Sequence, residues 1–215
     1  MQAWNLFGPL LTSTLGVQMK IVIIGNSGSG KTWLAKRLGI ILSAPVVHLD
    51  DLFWEPGGFD KKRNIDQIEL LIQQHKNEAA WIAEGVFGEL AEHYLEDAMF
   101  LVWLDIDWII CKKRLEERGS ESKRHMGRQQ SKEGLLRLLE WASNYYDRQD
   151  LRSYEGHKTL FEKFSGKKAH LSSETAVNKF LSRAQQISGA DGVKIAVLRK
   201  GRANLKFIRA AAHRH

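Results

Sequence analysis

A chain of 215 residues and 24.5 kDa, 43% hydrophobic and 27% charged, has room for one α/β domain with a short appendage, and is neither disordered nor low in complexity. Its one cysteine, Cys111, excludes a disulfide framework and any multi-cysteine metal site, and no apolar run reaches the roughly 20 residues that span a bilayer. The net charge of +7 is concentrated: residues 187–215 carry seven Lys and Arg against one acid, Asp191, a local +6 that leaves the rest of the chain near neutrality.

Residues 1–18 carry no charge and read as a flexible or non-native extension, because Met19-Lys20 opens the first strong structural signal and suggests a start there. Neither a basic leader region nor a small-residue cleavage site is clear in them, so a cytoplasmic protein is expected. Lys20 to Ile24 is a β-branched run of the kind a buried parallel strand requires. It ends in Gly25-Asn26-Ser27-Gly28-Ser29-Gly30-Lys31-Thr32, with a helix following to about Leu42. Pro45 to Leu49 reads as a second strand closing on Asp50-Asp51, and Phe53, Trp54 and Phe59 then surround Pro56-Gly57-Gly58. Asn64 with Gln67 makes a capping-box-like start for a helix whose face is Ile68, Leu71, Ile72 and His75.

Trp81 to Glu84 is the third strand, ending in Gly85, and Met99 to Leu104 the fourth, ending in Asp105. Asp107 caps a helix that runs to Arg118 and stops at Gly119. The stretch 119–130 is polar and basic without apolar periodicity, and reads as a mobile loop. From Ser131, Leu135, Leu138, Leu139, Ala142 and Tyr146 fall at helical spacing. Lys167 to Leu171 is the fifth strand, and Ser173 caps a last helix carrying Val177, Phe180, Leu181 and Ala184. Residues 187–215 form either a hairpin around Gly201 or a disordered basic tail. Strands alternating with helices mean a parallel sheet covered on both faces, so residues 19–186 are expected to form one three-layer α/β sandwich.

Gly25-x-x-x-x-Gly30-Lys31-Thr32 fits the Walker A pattern, set between a strand and a helix as that motif requires. Its glycines let successive backbone N–H groups curl around an anion, and the helix N-terminus adds partial positive charge. The stretch from Gly25 through Asn26, Ser27, Gly28, Ser29, Gly30, Lys31 and Thr32 to Trp33 is therefore assigned to the nucleotide, with Trp33 itself a packing residue. Lys31 is expected on the β- and γ-phosphates, and the Thr32 hydroxyl on Mg²⁺. Strand-end carboxylates beside such a loop hold Mg²⁺ or meet an acceptor hydroxyl, which makes Glu84 the second Mg²⁺ candidate and Asp50 and Asp51 candidates for the acceptor. A surface with Phe53 and Trp54 could stack a base or sugar. The pairs Arg114/Arg118 and Arg148/Arg152, with Lys123, Arg124 and Arg128 in the basic loop, suit the spread negative charge of phosphoryl transfer, and a hinged loop excludes water. Cys111 is a small packing residue, and the scattered histidines suggest no metal site.

Together these residues resemble the P-loop kinase superfamily related to adenylate kinase. More closely they resemble the bacterial group labelled DNA topology modulation proteins, through Met19 to Gly25, Pro45 to Trp54, Trp81 to Gly85, and Leu104-Asp105 followed by Cys111 and Arg114. The resemblance covers about residues 19–184. It implies a P-loop NTPase fold with a five-stranded parallel sheet, a helical substrate-binding segment and a short lid near 119–130, with lid roles for Arg118 and for Arg124 or Arg128. Adenylate kinases proper follow the third strand with Asp-Gly-Phe-Pro-Arg, whereas Glu84-Gly85-Val86-Phe87-Gly88 has neither proline nor arginine, which argues against AMP as acceptor. Asp50-Asp51 resembles instead the kinases of nucleosides and small hydroxylated metabolites.

The expectation is a Mg²⁺–ATP-dependent phosphotransferase acting on a nucleotide, nucleoside or small metabolite, with Lys31, Asp50, Arg118, Arg124 and Arg128 as catalytic residues. Glu84, Arg148 and Arg152 join Asp50, Asp51, Phe53 and Trp54 on the substrate side. The alternatives are an ATP-binding regulator that contacts nucleic acid through residues 187–215, and a bare NTPase switch.

Overall fold

The computed structural model describes residues 19–56, 61–119 and 132–186. The expectations placed on residues 1–18, on Gly57, Gly58 and Phe59, on Lys123, Arg124 and Arg128, and on 187–215 lie outside the described residues.

Five strands and eight helices alternate along the described chain. They are β1 (Lys20–Gly25), α1 (Lys31–Leu42), β2 (Val46–His48), α2 (Leu49–Phe53), α3 (Ile65–Lys76), β3 (Trp81–Gly85), α4 (Gly88–Leu95), β4 (Phe100–Leu104), α5 (Trp108–Arg118), α6 (Lys132–Ser143), α7 (Tyr154–Lys163), β5 (Lys167–Leu171) and α8 (174–186). All strand pairs are parallel, in the order β2-β3-β1-β4-β5, so β1 is central and hands the chain to the glycine-rich loop at the middle of the sheet's carboxyl edge. This is the three-layer P-loop sandwich the sequence implies.

The period of two explains both layers. In β1, Ile21 and Ile23 face one way, joining Leu34, Ala35 and Leu38 of α1, Cys111 of α5 and Val177, Phe180, Leu181 and Ala184 of α8. Val22 and Ile24 face the other way, onto α2, α3, α4 and Leu160 of α7. Both faces are buried, hence the unbroken apolar runs of β1 and β4. Caps fix the helix ends: Asn64 Oδ1 accepts from Asp66 N–H at 2.9 Å, Asp107 Oδ1 from Ile109 N–H at 2.7 Å, and Ser173 Oγ from Ala176 N–H at 3.2 Å.

Several local expectations are corrected. The second strand stops at His48, and Asp50 and Asp51 lie in the first turn of α2 instead of ending a strand. Helix α6 stops at Ser143, so Tyr146 belongs to the turns beyond it. Arg148 and Arg152 sit in that connection too, beyond the long helix as their spacing after it implies. Helices α4 and α7 lie outside those expectations, although Leu90, Ala91 and Tyr94 of the one and Tyr154, Leu160 and Phe161 of the other fall at helical spacing. Gly88 opens α4 where the Leu151 backbone passes too close for any side chain, and Ser153 caps α7 by accepting from Gly156 N–H at 3.1 Å.

Candidate active site

The loop between β1 and α1 is held in a conformation that only glycine takes without strain. Gly28 and Gly30 have φ of 82° and 98°, and a Cβ on Gly28 would stand 2.5 Å from the Cys111 carbonyl oxygen. At Gly25 a Cβ would run into the Leu104 carbonyl, so the loop backbone lies tight against the ends of β4 and α5. Within the loop, the Asn26 carbonyl accepts from Ser29 N–H at 3.2 Å and from Lys31 Nζ at 2.8 Å. Asn26 Oδ1 accepts from Ser27 N–H at 2.8 Å, while Asn26 Nδ2 donates to the Ala142 carbonyl of α6 at 3.0 Å. Ser29 Oγ is buried and has no hydrogen-bond partner. A cradle closed to side chains, a buried lysine at its mouth and an orphaned hydroxyl inside it fit an incoming phosphate chain.

Beside the loop, Thr32 Oγ1 donates to Glu84 Oε1 at 2.8 Å, and His48 Nδ1 lies 2.6 Å from the same oxygen. Strand alternation brings this about: His48 and Glu84 are register partners, and both follow the face that α1 covers. Glu84 is only 5% exposed, so it is an interior carboxylate and not a solvated strand end. Having given its proton to Glu84, the Thr32 oxygen keeps its lone pairs for a cation, and the carboxylate supplies negative charge. These residues fit Mg²⁺ arriving with a nucleotide. Among the described residues no group of three or more His, Cys, Asp or Glu side chains could hold an ion unaided. His48 escaped the sequence reading because strand pairing, not local pattern, brings it to Glu84.

The two arginines of α5 divide the work. Arg114 Nη1 donates to the carbonyls of Gly28 at 3.3 Å and Ser29 at 3.0 Å, and Nη2 pairs with Glu174 at the start of α8. It therefore braces the loop from behind. One turn on, Arg118 lies near enough to Asp50 and Glu84 to feel both charges. Desolvation pulls its guanidinium below the usual range, and the two carboxylates oppose that pull. Arg63, which the sequence reading passed over, donates to the carbonyls of Asp51, Leu52 and Trp54 at 3.1–3.2 Å and so fixes the end of α2.

Beyond Asp50 the ends of β2 and β3 carry an aromatic floor. Phe53 stacks on Phe87 with centroids 4.4 Å apart, Trp54 meets Phe53 edge-on at 4.7 Å, and the Arg152 guanidinium covers both phenyl rings at 4.6 and 4.4 Å. Arg152 is also paired with Glu89 through Nε and Nη2. The Arg148 guanidinium lies over the Trp141 ring, 3.7 Å from its centroid, and donates from Nη2 to the Arg152 carbonyl at 3.0 Å. Trp33 is on the outside: 43% exposed, it stacks under Arg37 at 4.7 Å, which corrects the expectation that it packs.

A buried chain of hydrogen bonds backs this assembly. Trp103 Nε1 donates to Tyr145 Oη at 3.3 Å, Tyr145 Oη meets His157 Nδ1 at 2.7 Å, and His157 Nε2 donates to the Val86 carbonyl at 3.0 Å. Burial holds the His157 pKa down at about 3, against the small opposing pull of the Val86 carbonyl, so the ring is neutral with its proton on Nε2.

The parallel sheet and the glycine-rich loop between β1 and α1 together define a P-loop nucleoside-triphosphatase architecture. Residues 21–134 match the family model described as an AAA domain, AAA_18, and the chain belongs to that family. No curated protein matches. Solved structures with a similar course include a shikimate kinase from Bacteroides thetaiotaomicron, 16% identical over 79% of this chain and 97% of that one, with a TM-score of 0.45. A gluconokinase from Sinorhizobium meliloti 1021 is 12% identical over 84% and 97%, TM-score 0.45, and an uncharacterized protein from Eubacterium ventriosum is 17% identical over 79% and 99%, TM-score 0.44. Likeness at this level speaks of chain course alone. No helix of the described residues is long and apolar enough to cross a membrane.

Proposed function

We propose that this chain is a Mg²⁺–ATP-dependent phosphotransferase that moves the γ-phosphoryl group onto a hydroxyl of a small acceptor. One observation carries the reading: Arg118, one turn beyond the arginine that braces the phosphate loop, lies within electrostatic reach of both Asp50 and Glu84, and Phe53, three residues past Asp50, stacks on Phe87, three residues past Glu84. A bare switch needs the loop but no such acceptor side.

In this reading the loop from Gly25 to Thr32 binds the triphosphate, and Lys31 turns its ammonium from the Asn26 carbonyl to the β- and γ-phosphates. Thr32 and Glu84 hold Mg²⁺, which supplies charge neutralisation for the phosphates when bound. Asp50 orients the acceptor hydroxyl and takes its proton, and Arg118 stabilises the charge on the transferring group. The chemistry needs no covalent intermediate, because positioning and electrostatics supply the rate.

The test is ADP release from Mg²⁺–ATP, first without acceptor and then with nucleoside monophosphates, nucleosides and small hydroxylated metabolites, wild type beside Lys31→Ala. Acceptor-dependent release that Lys31→Ala abolishes is the expected result. Turnover undiminished in Lys31→Ala, or release that no acceptor changes, sinks the mechanism.

A further inference from the structure

We infer that His48 is a positioning residue of the phosphotransfer site: it holds the Glu84 carboxylate so that the Thr32 hydroxyl keeps its lone pairs turned outward. The inference rests on the phosphotransfer reading for its Mg²⁺, and on the geometry of three side chains for the rest.

The arrangement begins in the sheet. β2 is only three residues long, and its last residue, His48, stands directly opposite Glu84 of β3. Register partners in a parallel pair project from the same face, so the two side chains start out side by side. His48 Nδ1 is 2.6 Å from Glu84 Oε1, and Thr32 Oγ1 is 2.8 Å from the same oxygen. A carboxylate only accepts, so both partners donate and the His48 ring carries a hydrogen on Nδ1. The imidazole and the carboxyl group are 14% and 6% exposed, so water competes little for either bond.

Two donors on one oxygen do what one cannot. A single bond from Thr32 would let the carboxyl group turn about it, and a hydroxyl hydrogen rotates to follow its acceptor. The second bond comes from a different element of the fold, β2 and not α1, and pins the carboxyl group from another direction. With the carboxylate held, the Thr32 hydrogen has one direction and its lone pairs another. His48 is also the residue from which α2 starts, so its side chain ties the turn carrying Asp50 to the carboxylate beside Thr32. His48 therefore acts through Glu84, and its loss should show as weaker use of the ion. Were the bond there only to satisfy a buried carboxylate, losing it would lower stability and change nucleotide binding alike with and without Mg²⁺.

The test compares affinity for the non-hydrolysable ATP analogue AMPPNP in EDTA and in Mg²⁺, for wild type, His48→Leu, His48→Asn and His48→Gln. Asn places an amide N–H near the position of Nδ1, whereas Gln carries it one bond farther out and Leu has none. The strengthening of binding by Mg²⁺ should be kept within about threefold in Asn and lost by about tenfold or more in Leu and Gln, with affinity in EDTA unchanged. Strengthening equal in wild type and Leu overturns the inference, as does an equal loss in Asn and Leu. A loss in EDTA as large as that in Mg²⁺ overturns it, and so does wild-type affinity that Mg²⁺ leaves unchanged. Should Leu fail to fold, Asn against Gln decides, since both keep the amide and differ in reach. The acceptor panel separates this inference from the reading beneath it. If no acceptor raises ADP release while the Asn and Leu pattern holds, phosphotransfer falls and the role of His48 toward the Mg²⁺-bound nucleotide stands. If acceptors raise release and Leu uses Mg²⁺ as wild type does, phosphotransfer stands and His48 falls.

Discussion

Lowering the pH from 7 to 5 should weaken the fold through His157, by an amount the structure fixes. The folded ring has a pKa of about 3 in place of the usual 6.5, because it is wholly buried between Tyr145 and the Val86 carbonyl. Above pH 6.5 the ring is neutral folded or unfolded and costs nothing. Below 6.5 the unfolded chain takes up a proton that the folded chain refuses, so stability falls as pH falls, at about 1.4 kcal/mol per pH unit. Between pH 6.5 and 5 the loss is roughly 2 kcal/mol, a large part of the 5–15 kcal/mol of a typical domain. The assay is urea unfolding at pH 7, 6 and 5 for wild type and His157→Gln, whose amide can still donate to Val86 and does not titrate. The variant starts less stable, but the difference between the two proteins should shrink by roughly 2 kcal/mol on going to pH 5. Parallel pH dependences would refute the reasoning and mean that His157 protonates in place.

Glu84→Gln keeps the shape beside Thr32 and removes the charge. Turnover should fall on the order of a hundredfold, with ATP affinity measured in EDTA unchanged and the Mg²⁺ requirement shifted to higher concentration; an unaltered Mg²⁺ titration would remove Glu84 from the ion's surroundings. Gly28→Ala combines a left-handed backbone with a clash against the Cys111 carbonyl, and should cost about 2–3 kcal/mol in urea unfolding and abolish ATP binding. Cys111, buried and with its thiol pushed up to about 11, should resist a disulfide reagent at pH 8 until denaturant is added. Fast modification of the native protein would contradict that burial.

What could be read from the sequence was what neighbours in sequence decide. The loop from Gly25 to Thr32, the runs of β1, β3, β4 and β5, and the caps at Asn64, Asp107 and Ser173 depend on residues a few positions apart, and these stand within a residue of where they are expected. Asp50 and Asp51 were placed at the right edge of the sheet but on the wrong element, because a strand of only three residues hands over directly to a single helical turn. The cap at Ser153 was visible and could have disclosed α7, whose interior side is Gly156, His157 and Leu160 flanked by Tyr154 and Phe161. The rest depends on distant pairing. His48 meets Glu84 only through the β2–β3 register, and Arg114 meets the loop across 85 residues. The assignment of Arg148 and Arg152 as a pair was coarse: packing alone separates an arginine already matched by Glu89 from one that is not.

Arg114 has a consequence for where the domain can be trimmed. Its guanidinium is the strut between the underside of the phosphate loop and Glu174, the first residue of the last helix. That helix is therefore a buttress of the nucleotide site as well as a cover for the sheet. Removing residues 187–215 leaves the strut seated at both ends, and ATP affinity should survive the cut. A cut before Glu174 takes away its far footing together with the packing of Val177, Phe180 and Leu181, and the loop should loosen although every one of its own residues is intact. Comparing ATP affinity for the two truncations would locate the true margin of the catalytic unit.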